Sequence, residues 1–196
     1  MAENLSKKEQ TRLKMLDAAS RSFRKNGYAG IGVDGIAKAA GVTSGAFYAH
    51  LGSKNAAFEE ILMMGLNEVV SGIQQFQKES GDCWIEAFCD YYLGLAHRSN
   101  LECGCAMASL TPEVIKSSST LHELYAAKMI KIVSIFTQGL AGVKKEERAW
   151  ATLSTLIGGL NVLRAMGNPE GIEKIAQSIK DAAQSIAGET IDINAK

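Results

Sequence analysis

VDGIAKAAGVTSGAFYAHLGSK, Val33 to Lys54, is the stretch on which the fold turns. Ile36, Ala37 and Ala40 recur at helical spacing and predict a short helix from about Val33 to Ala40. Gly41 permits a tight turn before Val42, and Thr43, whose hydroxyl can accept from a free amide, is the expected N-cap of a third helix. That helix begins Ser44-Gly-Ala-Phe-Tyr48 and turns Phe47 and Leu51 inward. Two short helices joined by a glycine turn form a helix-turn-helix unit. The leading end of its second helix, Thr43, Ser44 and Gly45, is small and hydrogen-bonding, which lets the backbone approach the edges of base pairs. Free N–H groups at the same end suit a phosphate oxygen. Tyr48, His50 and Lys54 lie further along, where a phenol, an imidazole and an ammonium reach a sugar-phosphate backbone and position the protein more than they specify sequence.

Upstream, a helix is expected from about Lys7 to Asn26, with Met15, Leu16, Ala19 and Phe23 on one face and Gly27 as its stop. Its basic residues Lys7, Lys8, Arg12 and Lys14 gather at the N-terminal end, which adds Lys7 and Lys8 as contacts from an arm. Downstream, Ser53 caps a long helix from Lys54 to about Glu79, with no linker rich in Pro or Ser between the basic unit and the rest of the chain. The two parts are therefore expected to be mechanically coupled.

Further helices are expected over Asp82–Ser99, Cys105–Lys116, Thr120–Leu140, Lys145–Met166 and Pro169–Ala187. Gly167 is read as the stop of one, Asn168 as the cap of the next and Pro169 as its first turn. Ser117 to Thr120 reads as a loop, and the tail after Gly188 as frayed. Strand-like alternation is hard to find, so the fold class is all-α with about nine helices. Two domains are expected, a DNA-binding domain over 1–53 and a larger helical ligand-binding and dimerisation domain over 54–196.

Charge separates the same two parts. Up to Ala56 the chain carries nine basic and four acidic residues, a net of +5, and the remainder carries twelve basic and seventeen acidic, a net of −5. A basic end that meets a polyanion, attached to an acidic body that does not, fits that asymmetry. No apolar stretch reaches the roughly 18 residues that span a bilayer, and the opening residues lack an apolar signal core, so no membrane role and a cytoplasmic location are expected. Cys83, Cys89, Cys103 and Cys105 are too few and too uneven for a disulfide framework, and are expected as free thiols.

The Val33–Lys54 segment resembles the DNA-binding signature of the TetR family of bacterial regulators, and LDAASRSFRKNGY, Leu16 to Tyr28, resembles that family's first helix with its closing Gly-aromatic pair. Together they cover roughly the first quarter of the chain. The resemblance implies base or groove contact by Thr43, Ser44 and Gly45, and phosphate contact by Tyr48, His50 and Lys54, on a double-stranded DNA operator. The sequence departs from the common pattern at Gly32, where Thr often caps the second helix, and at Leu51, where Phe is usual. The first departure removes one expected backbone contact.

Near the C-terminus, Leu153, Leu156, Ile157, Leu160 and Leu163 form one stripe, and Ile172, Ile175, Ala176, Ile179, Ala183 and Ile186 another. The resemblance implies a homodimer in which the last two long helices meet their symmetry mates through Leu153, Leu156, Ile157, Leu160, Ile175, Ile179 and Ile186, with Gly158 and Gly159 allowing close approach. Between the two ends lie Trp84, Phe88, Tyr91, Tyr92, Met107, Met129, Phe136 and Trp150, a supply of side chains for an apolar effector cavity. Cys105, with Cys103, opens a helix where amide dipoles lower a thiol pKa, which admits an electrophile or redox sensor beside the plain role of small buried hydrophobes. Zinc on His97, Cys103 and Cys105 lacks a fourth ligand at a familiar spacing, and Gly30–Gly35 comes after a helix where a dinucleotide loop would come after a strand. Neither a metal nor another cofactor is expected.

The reading is a DNA-binding regulator, not an enzyme, acting as a repressor released from its operator by a small-molecule or electrophile effector. The alternative is a helical small-molecule-binding protein or enzyme whose N-terminal unit only packs.

Overall fold

The structure, a computed structural model, describes residues 6–194. Ser6 and Glu9 open α1 (Lys7–Asn26) with a reciprocal cap, the Ser6 amide donating to the Glu9 carboxylate at 2.8 Å and the Glu9 amide to the Ser6 hydroxyl at 3.3 Å. α2 (Val33–Ala40) and α3 (Ser44–Leu51) come next, separated by Gly41 at φ 69°. Met15, Leu16, Ala19, Phe23, Ile36, Ala37, Phe47 and Leu51 close one small core between them. α4 (Lys54–Ser80) seals it, with Phe58 edge-on to Phe23 at 5.4 Å between ring centroids.

Past a 3₁₀ turn at Gly81–Cys83 come α5 (Trp84–Tyr92), α6 (Leu95–Ser99), α7 (Ala106–Ser109), α8 (Thr111–Val114), α9 (Ser119–Gln138), α10 (Lys145–Met166) and α11 (Ile172–Ala187). Among the described residues the architecture is all-α. Two of the nine expected segments are each divided in two. The helix expected over Asp82–Ser99 breaks at Gly94, and the one over Cys105–Lys116 breaks at Leu110, ahead of Pro112, which has no amide to continue a helical ladder. α4 packs on α1 as well as on α5, α7 and α9, while α10 lies against α11.

The last boundary differs from expectation. Residues 168–171 form a turn closed by the Ile172 amide on the Pro169 carbonyl at 3.2 Å, and α11 starts only after Gly171, at φ 82°. The tail is also not frayed through Asn194: the Ala141 amide donates to Glu189 at 2.8 Å, Ile191 to Gly139 at 3.0 Å, and the Asn194 amide group to Lys78 at 2.9 Å.

The expected dimer stripe needs correction. Leu153, Leu156 and Leu160 are buried within the single chain, because that face of α10 packs inward. Gly159 serves the same internal contact, since a Cβ there would stand 2.5 Å from the Ile179 side chain, whereas nothing lies within 4 Å at Gly158. The outward face of α10 carries Ala151, Gly158, Val162 and Ala165, and α11 adds exposed Ile175 and Ala182 with half-buried Ile179 and Ile186. Ile157 is likewise half-buried.

Candidate nucleic-acid interface and cavity

α3 is built as its residues require. Thr43 adopts extended backbone and its hydroxyl accepts from the Ala46 amide at 3.2 Å, satisfying one of the free donors at the helix start. That oxygen keeps its own proton to donate outward. Gly45 is exposed, and Tyr48 stands 53% exposed beside the edge of buried Phe47. Thr43, Gly45 and Tyr48 thus share the free surface of the helix with its leading amides.

The other expected contacts are more committed. Ser44 is half-buried and donates its hydroxyl to Asp34 of α2, so it joins the two helices and retains only its lone pairs for a partner. His50 is half-buried, with Nδ1 sealed from solvent and without a hydrogen-bond partner. The Lys54 ammonium sits 4.2 Å from the centroid of the Tyr28 ring, and the Tyr28 hydroxyl donates to Asn55. Lys7 and Lys8 are exposed but belong to the first turn of α1, not to an arm, since the Ser6 cap starts the helix ahead of them. Gly32 caps α2 with no side-chain hydrogen bond. Asp34 is the residue that sequence reading misses; an acid in a first helical turn gives no hint that a serine ten residues on will need it.

A cavity of about 360 Å³ lies between α4, α5 and the segment from His97 to Ala106. Phe88, Tyr91, Tyr92 and Cys105, of the nine expected lining residues, stand on its wall, joined by Phe76, Val69, Glu68 and Glu79 of α4. The remaining five lie elsewhere. Trp84, Met107, Met129 and Phe136 are buried in the core, where the Trp84 indole donates to the Gly139 carbonyl at 2.9 Å and packs on Phe136 at 4.7 Å. Trp150 is half-buried on α10, away from the lining. Their size and softness fit either place; only the packing of α4 against α5 and α9 decides between them.

At the inner end the polar groups are arranged tightly. His97 Nε2 accepts from the Cys105 amide at 3.0 Å and Nδ1 lies 2.8 Å from the Tyr92 carbonyl, so the ring is neutral with its proton on Nδ1, and burial lowers its pKa. Neither nitrogen is left for a metal. The Cys105 thiol is pushed up by burial, against the expectation of a lowered thiol at a helix start, because α7 is only four residues long and the sulfur is enclosed. Burial likewise holds the Tyr92 hydroxyl well above its ordinary pKa.

The two ends are in contact. Arg24 of α1 reaches the cavity wall, its guanidinium pairing with Glu68 at 3.2 Å while its side chain is 10% exposed. Lys25 pairs with Glu102 at 2.7 Å. Gly65 makes room for this, as a Cβ there would come within 2.9 Å of the Arg24 guanidinium and 2.6 Å of the Ala106 methyl.

Residues 15–61 match the family described as bacterial regulatory proteins, tetR family. A curated relative, the HTH-type transcriptional activator FasR of Mycolicibacterium smegmatis, is 32% identical over 90 residues, covering 43% of this chain and 41% of its own length. The chain thus matches about two-fifths of that relative. Among solved structures, a TetR-family transcriptional regulator from Agrobacterium tumefaciens superposes with a TM-score of 0.75 at 16% identity, over 89% of this chain and 98% of its own. A TetR-family regulator from Cytophaga hutchinsonii gives 0.75 at 18%, over 98% and 100%, and reduced NemR of E. coli gives 0.71 at 17%, over 95% and 100%. At these identities the structures share the fold.

Proposed function

We propose that this chain, whose residues 15–61 match the TetR family of bacterial regulators, binds an operator as a homodimer and loses that grip when a small molecule fills the cavity. One observation carries the reading: only two residues, Gly52 and Ser53, separate the end of α3 from the start of α4, and seven residues of α4, from Gly65 to Glu79, line the cavity. A ligand that spreads the wall acts on the helix that holds α3 in place.

In this reading Thr43, Gly45 and the α3 amides face the groove, with Ser44 as an acceptor only. Tyr48 and Lys54 meet phosphates, with Lys7, Lys8 and His50 as lesser contacts. The domain boundary falls at Ser53, and the dimer forms through the outward faces of α10 and α11. Half-sites would lie about 34–36 Å apart or at multiples of that spacing. A coupling of about 1–3 kcal/mol between cavity and operator suffices for a switch.

The test is a gel shift on DNA from upstream of the gene. Tyr48→Ala should weaken binding by about tenfold, at the level expected for one phosphate-facing hydrogen bond to a charged group, while leaving the oligomer unchanged. Undiminished binding by that variant would reject the site. FasR is named as a transcriptional activator, which favours a second reading in which the bound state turns transcription on. A reporter driven by the same upstream DNA, with and without the gene, separates the two.

A further inference from the structure

We propose that the cavity takes an amphiphilic organic anion, an aromatic or otherwise apolar body with one carboxylate head, and that the head lodges between Tyr92, Arg164 and Arg24. The inference rests on the reading of the cavity as an effector site and names the chemistry of its occupant.

The inner end of the cavity is short of acceptors. The Tyr92 hydroxyl is enclosed, in a residue 2% exposed, and has no hydrogen-bond partner; its neighbour is the Cys105 thiol, a weak one at best. Arg164 of α10 reaches in behind Gly104, a cavity-wall residue at which a Cβ would stand 2.5 Å from the guanidinium. That guanidinium donates to the His97 carbonyl at 2.8 Å and the Ser109 hydroxyl at 3.2 Å, both neutral, and its Nε is buried without a partner. It makes no ion pair among the described residues. A half-buried charge with a sealed Nε and neutral acceptors alone is disfavoured, and an anion is what would relieve it. Arg24 lies behind a second wall glycine, Gly65, and its Nε is also buried without a partner. Burial lowers the Arg164 pKa, as it should for a cation lacking its counter-charge.

The placement of the charges at the inner end, not their sum, favours a single negative head there. Arg24 is already balanced by Glu68, which leaves Arg164, behind the wall at Gly104, without an ion pair among the described residues, while Glu79 on α4 has the neutral Gln75 amide as its partner. A phosphate dianion would add a surplus charge to a wall that already holds Glu68 and Glu79. A ligand cation would find Glu68 already paired with Arg24, and at the inner end it would face the Arg24 and Arg164 guanidiniums behind Gly65 and Gly104. Phe76, Phe88 and Tyr91 form the surface for the apolar body, the Phe76 and Phe88 rings edge-on at 5.6 Å. Arg24 belongs to α1, so an anion that draws it from Glu68 pulls on the DNA-binding unit directly.

The experiment is calorimetric titration of the full-length protein with three probes that share a naphthalene body: 1-naphthaleneacetate, 2-(1-naphthyl)ethanol and 2-(1-naphthyl)ethylamine. The carboxylate should bind at least about tenfold tighter than the alcohol, and the amine weakest, as charge-assisted hydrogen bonds require. Tyr92→Phe removes one hydroxyl and keeps the ring; it should weaken the carboxylate severalfold and leave the alcohol unchanged. Arg164→Gln should abolish the preference for the acid, and should it fail to fold, Tyr92→Phe alone decides. Equal or tighter binding of the alcohol or amine, no binding of the acid up to millimolar concentration, or a Tyr92→Phe variant with unaltered preference would overturn the proposal. The titration contains no DNA, so its failure leaves the operator reading intact, and failure to retain operator DNA leaves the titration result intact.

Discussion

At the scale of single residues, the most informative side chains are those whose polar atoms are spoken for. His97 holds a carbonyl with one nitrogen and an amide with the other, which fixes it as a neutral ring. Its folded-state pKa lies below the ordinary 6.5 because burial opposes the charge. Above that ordinary value the ring is neutral in both folded and unfolded chains and its share of stability is complete. As the pH falls below it, the unfolded chain takes up a proton that the folded one refuses, and stability is lost until the depressed folded value is reached. The urea midpoint should therefore drop as the pH falls through and below the ordinary histidine range, and less so in His97→Gln; equal slopes for the two proteins would remove His97 from the account. The contrast with Ser44 is instructive. Its place at the start of α3 is readable from the Thr43 cap, but its engagement by Asp34 requires the angle between α2 and α3, which no spacing in the sequence encodes.

Among elements, α4 decides what the others can do. At Gly65 side chains of α1 and α7 both crowd α4, and Gly65→Ala must displace the Ala106 methyl as well as the Arg24 guanidinium. Overpacking of this kind costs about 1–3 kcal/mol; thermal unfolding should show a lowered midpoint, while Gly72→Ala on the same helix, with nothing within 4 Å of its Cβ, should be tolerated or stabilise. A midpoint for Gly65→Ala at or above wild type would show that the contact is slack. The long elements are legible because each repeats its apolar spacing over several turns and ends in a residue with its own chemistry: Gly27 after α1, Gly41 after α2, Ser53 before α4, Gly167 after α10. The short ones are not. α6, α7 and α8 are each five residues or fewer, too short for a period to show, and α6 and α7 with the segment between them form the very wall from which the inner polar groups approach. Of the cavity, the aromatic residues are therefore visible in outline and Arg24, Arg164, Gly65 and Gly104 not at all, since an arginine on an apolar helix reads as solvated until the neighbouring helix is in place.

For the molecule as a whole, the sequence stripes conflate two different surfaces. Leu156 is fully buried in one chain, so Leu156→Ala should unfold the subunit more easily, by about 2–5 kcal/mol, with no selective effect on association. Val162 and Ile175, 53% and 37% exposed, belong to the outward face. Val162→Glu with Ile175→Glu should leave the helical circular dichroism of the subunit intact and convert a dimer to a monomer in analytical ultracentrifugation; a dimer that persists would move the interface off these helices. Far from that face, Gln77 is buried and donates to the Ile135 carbonyl at 2.9 Å, beside the indole of Trp84 on Gly139. The first bond pins the distal end of α4, and the second the start of α5, to the end of α9, which makes that point a fulcrum. The lever arm from there back to Lys54 is about 35 Å at 1.5 Å per residue, so a tilt of about 5° sweeps its free tip through about 3 Å, roughly the rise of one base pair. Carried out on both halves of a symmetric pair, a rotation too small to disturb the hinge would throw the two reading heads out of step with the duplex.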